Sequence, residues 1–270
     1  MGQAEDTAPP HGIDTSVPQS ARVYDFLLGG KDNFAADRAV GEMLIQHVPA
    51  LPLMVRAQRH FLARAVRFLV AEAGVRQFLD IGTGIPAAEN VHEVAQRIEP
   101  AARVLYVDND PIVLTHARAL MTPGSGGTTA YIQADLRDPE AVLADPKLRE
   151  TLDLAEPVAL MLVGILMHLR DEDEPYRIVT TLLDALPSGS YLVLTHPSAD
   201  FDPEGMRALA ASAEESGIPY VPRTRADVER FSRGLEIVEP GVVPILGWRP
   251  DAEPEDVNSV YGWASVARKP

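Results

Sequence analysis

Phe78-Leu79-Asp80-Ile81-Gly82-Thr83-Gly84 joins an apolar run to a carboxylate and then to a glycine turn. A short apolar run bounded by glycine reads as a buried strand. Glycine lacks Cβ, so the turn can close tightly and present backbone N–H groups to a polar ligand at the start of the next helix. Pro86 is expected to open that helix, because its missing N–H is one of the donors left unpaired at a helix start. Val91, Val94, Ala95 and Ile98 then recur at helical spacing. Strand, turn and helix in this order imply a site for an adenosine-type cofactor. The turn alone does not choose the cofactor, since Gly82-Thr83-Gly84-Ile85-Pro86-Ala87 also satisfies the G-x-G-x-x-G/A pattern of dinucleotide-binding folds.

Two more strand ends extend the pattern. Val104-Leu105-Tyr106-Val107 ends on Asp108, followed by Asn109, and a carboxylate there can accept from both hydroxyls of a ribose. Tyr131-Ile132-Gln133-Ala134 ends on Asp135-Leu136, where a side-chain oxygen can accept from an exocyclic adenine amine. A third acid at a third strand end points away from nicotinamide enzymes.

With these residues the chain resembles the class I methyltransferases that use S-adenosylmethionine. More closely, it resembles the actinobacterial S-adenosyl methyltransferase family of unassigned substrate, formerly a domain of unknown function. The likeness runs from about Ser20 to Arg268. It rests on Ala21-Arg22-Val23-Tyr24-Asp25-Phe26-Leu27-Leu28-Gly29-Gly30-Lys31-Asp32-Asn33-Phe34, on the turn from Asp80 to Pro86, and on Pro240-Gly241-Val242-Val243-Pro244 with Trp248-Arg249-Pro250. The resemblance implies that Asp80, Gly82 and Gly84 surround the methionine part of the cofactor, Asp108 the ribose, and Asp135 and Leu136 the adenine; Thr83 and Asn109 are expected among the cofactor-binding residues as well. Pro86 departs from the pattern by standing where many such enzymes have a third glycine.

The order of elements predicts a Rossmann-like α/β fold with a mostly parallel, seven-stranded sheet. Strands near residues 78, 104, 131, 158 and 191 alternate with helices starting near Pro86, Pro111, Pro139 and Glu174. Asp202 and Pro203 open a later helix, Thr224 caps another, and Leu235 to Val238 with Val260 to Ala267 form a closing antiparallel pair. Residues 19–76 form a helical cover capped at Asp32 or Asn33, with Met54, Ala57, Phe61, Ala65, Phe68 and Leu69 on one stripe. Residues 1–18 hold three prolines and no apolar period and are expected to be disordered; residues 19–270 are read as one domain.

The formal charge of −15 argues against a nucleic-acid partner, because backbone binding needs clustered Lys and Arg. Residues 21–79 carry eight Lys and Arg against five acids, while 80–270 carry sixteen against thirty-one. The excess of cations in the cover reads as a solvated face or as groups over an anionic ligand. No cysteine provides a thiolate or a disulfide, no apolar run spans a bilayer, and no secretory leader is recognisable. A cytoplasmic protein without a membrane partner is expected.

Methyl transfer needs an aligned nucleophile, and a base only when the acceptor arrives protonated. His168, beyond the apolar segment Leu160 to Met167, is the first candidate base; its other reading is structural or substrate-lining. His196, before Pro197, either lines the same mouth or caps a loop. Tyr24 is a third catalytic candidate. Arg22 or Lys31 could meet the cofactor carboxylate, and Gly30 could bring backbone near the cofactor, against the plain reading of Gly29-Gly30 as a helix cap. Gly164 suits close ligand approach or simple crowding. No His or acid pair has metal-ligand spacing, so no metal is expected. The acceptor is expected to be a small molecule. The competing readings are a non-catalytic module that binds S-adenosylmethionine or a nucleotide and, behind it, an NAD-dependent oxidoreductase.

Overall fold

A computed structural model describes residues 14–113 and 127–270. The helices of the described residues are α1 (Ser20–Leu28), α2 (Ala35–His47), α3 (Leu51–Ala71), α4 (Val91–Ile98), α5 (Pro139–Ala144), α6 (Pro146–Thr151), α7 (Pro175–Asp184), α8 (Pro203–Glu215) and α9 (Arg225–Arg230). The strands are β1 (Gln77–Ile81), β2 (Arg103–Asp108), β3 (Thr128–Gln133), β4 (Ala159–Val163), β5 (Tyr191–Pro197), β6 (Glu236–Ile237), β7 (Val243–Pro244) and β8 (Gly262–Arg268).

Successive side chains of a strand point to opposite faces, so a strand covered on both faces must be apolar throughout. All five residues of β1 are buried. Phe78, Val104, Tyr106, Met161 and Val193 pack with α1 to α4 and α8, while Leu79, Leu105, Val107, Leu160 and Leu192 pack with α5, α6, α7 and α9. The sheet runs in the order β3-β2-β1-β4-β5-β8-β6. β1 to β5 are parallel, and β8 lies antiparallel to β5. The expected late antiparallel pair is β6 with β8, and the two-residue β7 also pairs with β8, making eight strands rather than seven.

The cover is tied to the distant end of the chain. Trp248 is fully buried and meets Phe61 and Phe68 of α3 edge-on, at 5.4 and 5.9 Å between ring centres. Arg64 of α3 donates to the carbonyls of Trp248 and Ile245, both at 3.0 Å. The Trp248-Arg249-Pro250 segment thus acts as a strut beneath α3. No helix among the described residues is long and apolar enough to cross a membrane.

Local readings shift in four places. The helix expected from Pro86 begins at Val91 instead, because Glu89 takes a left-handed φ of 60° and Asn90 donates its N–H to Glu93 at 3.0 Å, starting the helix there. Pro86 is therefore a loop residue. The cap of α2 is Phe34, whose N–H donates to Asp37 at 2.9 Å, rather than Asp32 or Asn33. Gly29 closes α1 in the left-handed region at φ 83°, and the Gly30 N–H donates to the Asp25 carbonyl at 2.9 Å, as in a Schellman cap. Residues 14–18 are pinned to α1 by Arg22, while residues 1–13, and the helix expected from Pro111 beyond residue 113, lie outside the described residues.

Candidate functional site

A cavity of about 310 Å³ opens at the carboxyl ends of β1 to β4, beneath α1 and α3. Parallel sheets place ligands at this edge because strand ends and their loops converge there. Asp80, Gly82, Thr83, Gly84, Asp108, Asn109, Asp135, Leu136, Gly164, Tyr24 and His168 all line it. The strands therefore bring most of the residues read from the sequence to one place.

The glycine turn has two distinct requirements. Gly82 has φ 75°, its N–H donates to the Val107 carbonyl at 2.8 Å, and a Cβ there would strike the Ile165 side chain. Gly84 has φ 65° and open space around the position of a Cβ, so its constraint is the backbone shape. Asp108 holds this turn: its carboxylate accepts from the Gly84 N–H at 2.8 Å and the Asp110 N–H at 2.9 Å. Each carboxylate oxygen has a second lone pair, which leaves capacity for a diol. Burial raises the Asp108 pKa, and those two N–H bonds oppose the rise.

Three groups at the cavity have unfilled hydrogen-bonding capacity. Arg59 of α3 donates through Nη2 to the Ala88 carbonyl at 2.9 Å and to Asn90 at 3.3 Å, but its buried Nε has no partner. The neighbouring Gln58 is 4% exposed and its Oε1 accepts nothing, although the amide lies over Gly164. Asp80 is 5% exposed and accepts no hydrogen bond among the described residues. Burial pushes Asp80 up to about 7; the Arg59 charge opposes the shift and the Asp108 charge adds to it.

That proton has a measurable consequence. An unfolded aspartate titrates near about 3.9, so the folded chain holds the proton more tightly across the interval up to about 7. Stability conferred by this group is complete at the acid end and is lost as pH rises through the folded value. Melting temperatures of the unliganded protein and of Asp80→Asn, compared between about pH 5 and pH 8, should diverge, with the wild type losing relatively more toward pH 8. Parallel curves would show that Asp80 titrates normally.

The four remaining candidates, Arg22, Lys31, Gly30 and His196, do not line the cavity, and Lys31 is an exposed residue. Arg22 is 1% exposed and does not line the cavity: its Nε donates to Asp37 at 3.1 Å and its Nη2 to the Val17 carbonyl at 2.5 Å. It is an internal anchor rather than a contact for a cofactor carboxylate. Gly30 is exposed and faces Asp25, whose carboxylate a Cβ would strike. His196 is fully buried and does not line the cavity, with Nδ1 bonded to the Pro197 carbonyl at 2.9 Å and Nε2 accepting from Arg223 at 3.1 Å. Burial, with Arg223 adding, pushes His196 down to about 3; it is a core residue, not a base.

Of the other catalytic candidates, Tyr24 donates its hydroxyl to the Val55 carbonyl at 3.2 Å, and burial pushes its phenol up to about 12. It stays protonated near neutral pH. His168 donates Nδ1–H to the Pro219 carbonyl at 2.7 Å, which leaves its lone pair on Nε2. Burial lowers the His168 pKa, the Pro219 bond opposes this, and Arg137 lowers it further, so the ring is neutral near pH 7.

Sequence reasoning passed over Gln58 and Arg59. Their signal was present: Val55, Gln58, Arg59 and Leu62 follow helical spacing, so a polar pair interrupts the apolar stripe of α3. Pro219 and Arg137, which act on His168, carried no comparable local signal.

The glycine turn on β1, the acids ending β2 and following β3, and the antiparallel β8 between β5 and β6 define a class I methyltransferase fold. The chain belongs to the S-adenosyl methyltransferase family, whose model matches residues 6–270, and the cofactor of that family is S-adenosylmethionine. A DUF574 family protein from Streptomyces avermitilis MA-4680 is 46% identical, with 95% of this chain and 99% of that chain covered and a TM-score of 0.92. A candidate methyltransferase from Thermobifida fusca YX is 44% identical, with 97% and 98% covered and a TM-score of 0.90. The N-methyltransferase NodS from Bradyrhizobium japonicum WM9, in complex with S-adenosylhomocysteine, shares the fold at 14% identity, with 86% and 97% covered and a TM-score of 0.50. No curated protein matches the sequence.

Proposed function

We propose that the chain transfers a methyl group from S-adenosylmethionine to a small molecule. The observation that carries this reading is the set of unfilled groups at the cavity: Arg59 Nε, a donor on a cation, beside Gln58 Oε1 and the Asp80 carboxylate, both acceptors. The methionine end of the cofactor is a zwitterion, and such a set complements it, with Arg59 for the carboxylate and Asp80 with Gln58 for the ammonium. Asp108 and Asn109 then take the ribose, and Asp135 and Leu136 the adenine. When bound, the cofactor supplies an electrophilic methyl group on sulfur. Nε2 of His168 takes the acceptor's proton where there is one to remove, and the Pro219 carbonyl fixes the tautomer that allows it.

Calorimetric titration with S-adenosylhomocysteine and, separately, NADH tests the reading. Binding of the first alone supports it; binding of NADH alone would restore the oxidoreductase. Arg59→Met is expected to weaken S-adenosylhomocysteine by about tenfold to a hundredfold, the range for losing a charged hydrogen bond, while adenosine binding is unchanged. An equal loss for both ligands would move Arg59 away from the carboxylate. The lowered basicity of His168 favours one competing reading, a cofactor-binding module without turnover. Transfer of label from methyl-labelled cofactor into any metabolite of a cell extract would remove it.

A further inference from the structure

The cavity is divided by chemistry. Its strand side holds Asp80, Asp108, Asp135 and Arg137, with Arg59 reaching in from α3. The opposite wall is built by Leu27, Met54 and Val55 of the cover, Met167 after β4, and Ile218 and Tyr220 after α8. Five of these are nearly inaccessible, at 7, 2, 5, 6 and 6% for Leu27, Met54, Val55, Met167 and Ile218. Among the described residues, Arg59 apart, this wall carries no charged side chain; the Tyr24 hydroxyl is already bonded to Val55, and His168 stands at its edge.

We infer that the acceptor is a neutral, largely apolar small molecule carrying a phenolic or enolic hydroxyl, and that this oxygen is methylated. The inference rests on the cofactor reading above, which assigns Arg59, Asp80 and Gln58 to the methionine end.

Burying a charged acceptor against such a wall would leave the charge without a partner and without its water. Apolar surface placed there leaves water at no such cost. Met54 and Met167 are unbranched and can adapt to an irregular or planar skeleton. An aliphatic amine acceptor would arrive as an ammonium ion and call for a carboxylate, which this wall does not provide among the described residues. A hydroxyl needs one acceptor for its proton, and His168 has its Nε2 lone pair to give. The step balances. The hydroxyl oxygen bonds to the methyl carbon as the carbon–sulfur bond breaks, the electron pair of that bond stays on sulfur, and the hydroxyl proton passes to Nε2 and then to solvent.

The test uses the full chain saturated with S-adenosylhomocysteine, titrated calorimetrically with naphthol, naphthoate, naphthylmethylamine and methylnaphthalene, which share one ring system. Naphthol is expected to bind at least about tenfold more tightly than either charged analogue. It should also exceed methylnaphthalene by a margin that disappears in His168→Leu. Equal or tighter binding of naphthoate or the amine overturns the inference, as does a naphthol margin that survives in His168→Leu, or absence of naphthol binding to the saturated protein. Failure of S-adenosylhomocysteine itself to bind would instead defeat the cofactor reading beneath it, so the two failures are distinguishable. Retained S-adenosylhomocysteine affinity in His168→Leu establishes that the variant is folded.

Discussion

Asp108→Ala is expected to lower affinity for S-adenosylhomocysteine by at least about a hundredfold, since each hydrogen bond to a charged group contributes about 1.5–3 kcal/mol. Two contributions combine. The carboxylate provides the lone pairs proposed for the ribose hydroxyls, and it also fixes the glycine turn through the Gly84 N–H at 2.8 Å. The alanine variant loses both, whereas Asp108→Asn keeps one acceptor oxygen for the backbone and loses the anion. The asparagine variant should therefore fall between the two, and the difference separates turn-holding from ribose binding. Burial of Asp108 raises its pKa, so removing the charge relieves an unfavourable desolvation. The unliganded Asp108→Asn protein should for this reason melt no lower than the wild type by more than a few degrees. Calorimetry with a melting curve for each variant checks the prediction, and wild-type affinity in Asp108→Ala would withdraw the ribose assignment.

The strands of this fold were legible because burial on both faces forces a near-continuous apolar run, and such runs ending on Asp80, Asp108 and Val163 are visible without any partner. The start of α4 was not, because Pro86 is a better local signal than Asn90, and the deciding features are the left-handed turn at Glu89 and a side-chain bond across three residues. His168 and His196 illustrate the same limit within the site. Both stand at the far end of an apolar segment, but β8 pairs with β5 as far as Pro197, so His196 lies within the strand and in the core, where Arg223 occupies its free nitrogen. A register set by a strand more than sixty residues away in sequence leaves no mark near the histidine. Arg22 and Arg59 differ likewise. The first is neutralised by Asp37, fifteen residues on, and the second reaches the cavity, yet in the sequence each is a cation on an amphipathic helix.

Asp37→Ala is expected to cost about 3–5 kcal/mol, the range for stranding one member of a buried ion pair. Asp37 is fully buried and accepts from the Gln19 N–H at 3.0 Å, the Arg22 Nε at 3.1 Å and the Phe34 N–H at 2.9 Å. One carboxylate thus joins the starts of α1 and α2 to the guanidinium between them. Removing it leaves Arg22 charged in a dry site where, among the described residues, the Asp14 and Val17 carbonyls and the face of Phe34, 5.4 Å away, are its remaining contacts. For a chain of this size the loss corresponds to a fall in melting temperature on the order of 10 °C. The double replacement Arg22→Met with Asp37→Leu should recover part of it, since well-packed apolar residues can replace a buried pair. It should not recover all, because the Gln19 and Phe34 N–H groups stay unpaired. Residues 17–21 line the mouth of the cavity, while Asp80 and Asp108 sit on the strands. The single variant should accordingly weaken naphthol binding more than S-adenosylhomocysteine binding. A melting temperature within about 2 °C of the wild type would show that other contacts hold this segment and that the pair is incidental to it.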